Sequence, residues 1–361
     1  MLQIDKTKHK ILLPEFKKLP KFITSKSKAI LIIFIILMIP AYYGNSHYDV
    51  YYKLDDSLPK DLAFNVANSD LAKKFNITSP EIIILDKDVS SSEVEELTDE
   101  LKNVKGIDLV LAPSEIINNG LETILPDELQ DLFNNDKYQL VLTNSTYEIA
   151  SDKLNDQITT INKIVHKYDK KAIVAGEGAL MKDLISIADH DFKMVNYTSL
   201  AVIFVIMILV LKSLSLPIIL SLVIEFAIFV NMSIAYYTGT SLPFIASIVV
   251  GTIQLGATID YAILMSTTYI EKRKKSADKK KCMEETLQFT ISSIITSALC
   301  CFAATSSVGF YTKIDMIGSI CNLLARGSLI SMASVIFILP TLLMMFDKIV
   351  LKNKNAKKEG V

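Results

Sequence analysis

The chain has no tryptophan, four cysteines in 361 residues, and two arginines, Arg273 and Arg326, against a large excess of lysine. The cysteines exclude a disulfide framework. Cys282, Cys300, Cys301 and Cys321 fall in apolar runs or a basic loop, and the long polar segment holds none. The lysine bias, with abundant Ile and Asn, reads as AT-rich coding and carries no function. Signatures of nucleotide and hydrolytic chemistry are missing too. There is no Walker A sequence, no G-x-S-x-G and no H-E-x-x-H, so neither an ATP-driven pump nor a membrane hydrolase has support. No catalytic constellation marks an enzyme, no metal-ligating set emerges, and no cofactor is implied.

What is present is segregated. Half the residues are hydrophobic and mean hydropathy is +0.36, yet 21% are charged, which implies apolar spans separated by polar segments. Six runs approach or exceed the roughly 20 residues that cross a hydrocarbon core: Ala29–Asn45, Val195–Leu211, Pro217–Tyr237, Pro243–Tyr269, Leu287–Val308 and Met316–Phe346. The first contains Pro40, where it is expected to bend or end. It lies too far from the N-terminus, and lacks the small-residue site, to read as a cleaved signal peptide.

Lysines set the orientation. Lys6, Lys8, Lys10, Lys17, Lys18, Lys21, Lys26 and Lys28 precede the first span, EKRKKSADKKK follows the fourth, and KNKNAKK lies near the end. With six spans all three fall on one side, which the positive-inside rule makes cytoplasmic. Topogenic charge explains these clusters better than nucleic acid or anionic lipid. The expected plan is a cytoplasmic basic arm (1–28), span one (29–45), an extracytoplasmic domain (46–193), spans two to six (194–346) and a cytoplasmic tail (347–361), in a multi-pass protein of the cell membrane.

The segment 46–193 carries 28 acidic and 15 basic residues and is long enough for its own core. EIIILD (Glu81–Asp86), IDLVLAP (Ile107–Pro113), YQLVLTN (Tyr138–Asn144) and KAIVAGE (Lys171–Glu177) read as strands. Ser90–Val104 and Ala150–Tyr168 carry caps and helical spacing. The order β-α-β-β-α-β is that of the α+β ferredoxin-like split unit. An acidic stretch between the second and third strands, Ser114–Asp136, reads equally as a lid or a plain insertion. His166 reads as a surface or packing residue. Asp189, His190 and Asp191 read as a solvated helix end rather than a relay or metal site.

The fourth span contains the most informative residue. In FIASIVVGTIQLGATIDYAILMSTTY, Asp260 and Tyr261 lie deep inside an apolar run. A carboxylate there costs about 2.5–3.5 kcal/mol on insertion scales, so it faces a bundle interior or a wet path. Gly251, Gly256 and Ala257 lie on the turns before it, where small residues let another helix approach. An acid that takes up and releases a proton is one reading; a neutral, hydrogen-bonded structural Asp is the other. Glu225 in the third span and Arg326 in the sixth are further intramembrane charges, and opposite charges in a bilayer are expected to pair. Arg326 is therefore expected to pair with Glu225 or Asp260. Ser292, Ser293, Thr296, Ser297, Thr305, Ser328, Ser331 and Ser334 read as packing residues rather than a water path.

One leading span, an external ferredoxin-like domain of the porter type, and five spans with Asp-Tyr in the fourth resemble one half, the C-terminal one, of a resistance-nodulation-division transporter. The wording is closest to the MMPL branch: YYKLDDSLPKDL (Tyr51–Leu62), DHDFKMVN (Asp189–Asn196), LVLKSLSLPIIL (Leu209–Leu220), GATIDYAILM (Gly256–Met265) and IDMIGSICNLLARGSLISM (Ile314–Met332). The similarity runs from about Leu13 to Leu351. It implies a proton-driven exporter of hydrophobic or lipid-like cargo, with Asp260 and Tyr261 as proton relay. Such proteins carry two halves in parallel repeat, and this sequence carries one. The resemblance therefore implies a second half, identical or a companion subunit. A secretion-accessory or regulatory protein of the same superfamily, and an inactive remnant, remain alternatives.

Overall fold

The computed structural model describes residues 16, 18–53, 57–112 and 137–355. The stretch Ser114–Asp136 and the lysines Lys6, Lys8, Lys10 and Lys17 lie outside the described residues, as does the side chain of Asp189. The chain divides into two compact units, residues 52–191 and residues 1–51 with 192–361.

The larger unit is a helical bundle. In chain order it contains α1 (Lys18–Ser25), α2 (Ser27–Ser46) and β1 (Val50–Tyr51). The smaller unit follows, with α3 (Ala63–Phe75), β2 (Ser79–Asp86), α4 (Ser91–Lys102), β3 (Ile107–Leu111), β4 (Tyr138–Ser145), α5 (Asp152–Tyr168) and β5 (Ile173–Gly176). The 35-residue α6 (Glu177–Leu211) begins in that unit and ends in the bundle. The bundle continues with α7 (Ser215–Thr238), β6 (Leu242–Pro243), α8 (Ala246–Arg273), α9 (Lys279–Tyr311), α10 (Asp315–Met345) and α11 (Asp347–Asn355). Helices α2, α6, α7, α8, α9 and α10 are long and apolar enough to cross a membrane.

The bundle is built around α7 and α10, whose apolar windows are more than half buried, whereas those of α2 and α6 are mostly exposed. Val223, Met265, Ile291 and Leu339 interlock in its largest buried cluster. Gly44 of α2 fits only because it lacks a side chain: a Cβ there would lie 2.7 Å from Ser233 Cβ on α7. Beside this approach Tyr43 stacks on His47 at 4.3 Å and meets Tyr236 edge-on at 5.7 Å, an aromatic cluster of the kind that marks membrane interfaces. At the far end, Asp347 accepts from Arg273 Nε at 2.9 Å and Nη2 at 2.7 Å, and from Tyr269 Oη at 2.7 Å. Burial pushes the Asp347 carboxyl up, but these donors outweigh it and hold the group below the usual range.

In the smaller unit the four strands form an antiparallel sheet in the order β3-β4-β2-β5. Ile83, Leu85 and Val141 pack against Val94, Leu97 and Leu101 of α4 and Ile161 and Val165 of α5. Ser90 and Glu93 close a capping box on α4. His166 contacts the Ala172 carbonyl at 3.2 Å, a packing role, and His190 lies in solvent beside Asp191 at 3.4 Å.

Several boundaries differ from the sequence reading. Helix α2 does not end at Pro40 but runs to Ser46, one residue past the expected Asn45; in an apolar setting, packing by neighbours offsets the lost helical bond. Helix α6 starts at Glu177, 18 residues before the apolar run begins at Val195, so the expected boundary at 193/194, like the division between the two units at 191/192, falls inside a helix. Polar helical turns leave no mark in hydropathy. Glu177, expected as the end of the last strand, is instead the first residue of that helix. The pairing of Val50 with Leu242 and Tyr51 with Pro243, and helices α1, α3 and α11, carry no signal that the sequence reading used.

Candidate functional site within the helical bundle

Helix α8 presents two different polar faces. Its inner stripe repeats at helical spacing through Val250, Gln254, Thr258, Tyr261, Met265 and Tyr269, all buried. Its outer stripe, Ile253, Gly256, Asp260 and Thr267, is exposed. Asp260 and Tyr261, adjacent in sequence, therefore point to different surroundings. Tyr261 is 6% exposed and donates to Ser297 Oγ on α9 at 3.4 Å. Asp260, near the middle of the 28-residue helix, has no hydrogen bond or ion pair among the described residues.

The Tyr261–Ser297 bond ties the inner stripe of α8 to α9, whose exposed stripe comprises Ser293, Thr296, Ser297, Cys300 and Ala304. A Cβ built on Gly256 meets nothing within 4 Å, so no helix of the described chain uses the close approach this glycine permits. Gly251 does have a neighbour: a Cβ there would lie 3.2 Å from Asn196 Oδ1 on α6. Ala257 lines a narrow crevice with Thr258, Tyr261, Cys301, Ser328 and Ser331.

Arg326 does not pair with either acid. Its Nε donates to Asn231 Oδ1 at 2.9 Å and its Nη2 to the Asn231 carbonyl at 2.7 Å. Asn231 Nδ2 in turn donates to Gln254 Oε1 at 2.8 Å and to the Leu323 carbonyl at 3.0 Å. Gln254 Nε2 reaches Ser331 Oγ at 3.0 Å, and Thr258 Oγ1 reaches the same oxygen at 2.8 Å. The expected ion pair is thus replaced by an amide relay across α7, α8 and α10. The physical reason is reach: Asn231 offers both a side-chain and a backbone oxygen to one planar guanidinium, a two-point match. Sequence reading missed Asn231 and Gln254. Their available signal was polar residues at mid-span, with Gln254 and Thr258 one helical turn apart.

Glu225 stands apart from this network. It lines a cavity of about 320 Å³ together with Tyr48, Lys193, Asn196, Ser247 and Gly251. Among the small polar residues, Ser328, Ser331 and Ser334 are buried on α10, while Ser293, Thr296 and Ser297 are exposed on α9. Thr296 folds its hydroxyl back onto the Ser292 carbonyl at 2.8 Å. No group of three potential metal ligands occurs among the described residues.

The arrangement combines an exposed acid near the middle of a candidate span, a buried tyrosine next to it in sequence, and a hydrogen-bonded polar network across α7, α8 and α10. No curated protein matches the chain. The sequence profile of the MMPL family matches residues 94–360, well over half of it. The chain belongs to the MMPL family, membrane transporter-like proteins of the resistance-nodulation-division superfamily.

Proposed function

We propose that the chain is a half-size subunit of a proton-motive-force-driven exporter for hydrophobic or lipid-like molecules. In this reading Asp260 takes up and releases the proton, and Tyr261 carries it at the edge of the bundle interior. The observation behind it is Asp260, without a partner among the described residues, on the exposed stripe of α8 that also holds Gly256. Such a surface gains little from lipid, and small residues pack well against another helix. A second half, identical or a companion chain, covers it and closes the path around Asp260. Neutralising Asp260 removes the cost of its charge and lets the two halves shift; a 100 mV potential supplies about 2.3 kcal/mol per proton.

The smaller unit is read as an extracytoplasmic, ferredoxin-like porter domain. Its sheet order β3-β4-β2-β5 with α4 and α5 between the strands supports that reading, as does its acidic charge opposite the lysine-rich termini. The cavity holding Glu225 and Lys193, with Ile228, Phe229 and Leu255 also in its wall, suits an amphiphile with a polar head.

The experiment is proton flux into vesicles containing the purified protein, with and without Asp260→Asn. Loss of flux in the variant, with insertion unchanged, is the expected result; full flux in the variant overturns the relay. The mass of the complex in mild detergent tests the second half. Two halves are expected, and a lone 40.2 kDa chain favours an accessory protein or a remnant instead.

A further inference from the structure

Glu81 lies in β2 on the inward side of the sheet, where Ser79, Glu81, Ile83 and Leu85 alternate as buried positions. Period-two patterning calls for an apolar residue there, yet this side chain is an acid with 1% of its surface exposed. It sits opposite Gly176 in the β2–β5 ladder. At Gly176, with φ of +152°, the chain leaves the sheet and turns directly into α6.

The carboxyl group fills the inside of this turn. Oε1 accepts from Ser79 Oγ at 3.1 Å and Oε2 from the Ala179 backbone N–H at 3.3 Å. It fits only because residues 176 and 178 are glycines. A Cβ on Gly176 would collide with Oε2, and one on Gly178 with Oε1 and with Leu154 Cδ2 of α5. Two glycines and the open N–H groups of a first helical turn thus form a cradle matched to one carboxyl group.

The charges around it argue against a permanently ionised acid. No lysine, arginine or histidine among the described residues forms an ion pair with Glu81. Glu177, at the head of α6, is the charged side chain that bears on it, and it has the same sign. From β4, Thr143 offers its hydroxyl to the Glu81 carbonyl at 3.5 Å; from α5, Leu154 is apolar. A buried carboxylate held by neutral donors alone is costly. Burial pushes the Glu81 carboxyl up to about 7, against the hydrogen bonds from Ala179, Ser79 and Gly178.

We propose that Glu81 is a second proton-binding site, separate from Asp260, whose protonation fastens the first turn of α6 to the sheet and whose ionisation loosens it. Helix α6 is the same helix whose apolar part is a candidate span, so this site places a proton-sensitive fastening at the head of a span. The proposal stands whether or not Asp260 carries protons.

The sign follows from the raised value. The closed turn binds the proton more tightly than an opened one, so the fastening is complete below about pH 4.5 and is lost as the pH rises through about 7. Hydrogen exchange of the full chain in detergent, read on peptides covering Ile173–Met181, tests it. After correction for intrinsic exchange, protection falls about tenfold per pH unit between roughly pH 5 and 7 and then levels off. In Glu81→Gln the profile is flat. The same slope in Glu81→Gln, or no slope in the wild type, overturns the proposal. Should Glu81→Gln fail to fold, infrared titration of an Asp260→Asn, Glu225→Gln variant reads the site directly. A buried protonated carboxyl that disappears near pH 7 is expected, and its absence at pH 6 refutes the site.

Discussion

Replacing Gly327 by Ala sets two sizeable effects against each other. Gly327 lies inside α10, where Gly→Ala gains about 1 kcal/mol of helix propensity. Against this, the new Cβ would lie 2.6 Å from both Asn231 Nδ2 and Gln254 Oε1, the two atoms that share a 2.8 Å hydrogen bond. Both are ends of side chains, but neither is free to swing away. Asn231 is held by Arg326 and the Leu323 carbonyl, and Gln254 by Ser331. Separating them costs the buried hydrogen bond they share, about 1 kcal/mol. The local strain of overpacking adds about 1–3 kcal/mol. Loss wins, by about 1–3 kcal/mol net. For a unit of this size that lowers the melting temperature by about 2–12 °C. Thermal unfolding in detergent, followed by circular dichroism, reads the shift. A Gly327→Ala protein as stable as the wild type would show that the amide relay is loose and that Arg326 has other support.

Gly256→Ala is the opposite case: its Cβ meets open space, so the isolated chain gains up to about 1 kcal/mol and melts about 2–4 °C higher, while the association read by complex mass weakens. An unchanged complex would place the second half elsewhere. Asp347→Asn leaves the buried Arg273 without its counter-ion, both side chains being 10% exposed, and costs about 3–5 kcal/mol, measured by the same melting experiment. Because the Asp347 carboxyl is held below its usual range, that contribution is intact at neutral pH and lost only as the pH falls below about 4; a loss already at pH 6 contradicts the assignment. Ser90→Ala removes the cap of α4 and costs about 1 kcal/mol, read as faster exchange across Ser91–Lys102.

The spans and the strands were legible because each is governed by a short-range rule. Hydropathy over about 20 residues located α7 within two residues at its start and one at its end. A short apolar run located β2, alternation located β4, and cap residues located α4. What escaped is set at longer range. The start of α6 is fixed by Gly176 and by the seat of Glu81 against it, not by any local change in polarity. The partner of Arg326 is an asparagine 95 residues away. A rule that pairs opposite charges selects Glu225 or Asp260 because it weighs charge alone; the fold instead offers two oxygens on one residue.

The two faces of α8 carry the argument furthest. Along its inner stripe every polar side chain is answered from within the chain: Gln254 by Asn231 and Ser331, Thr258 by Ser331, Tyr261 by Ser297. Along its outer stripe, one residue from Tyr261, Asp260 is answered by nothing among the described residues. A sequence tuned only for stability in lipid would reverse that choice, since a lipid-facing carboxylate at mid-span costs about 2.5–3.5 kcal/mol while leucine there costs nothing. The same helix that satisfies its interior so fully leaves its mid-helix acid exposed, on the stripe that also holds Gly256. On the proposed reading, that contrast is what a surface meeting a second set of spans requires, and the proton-carrying acid belongs at that seam rather than in the core.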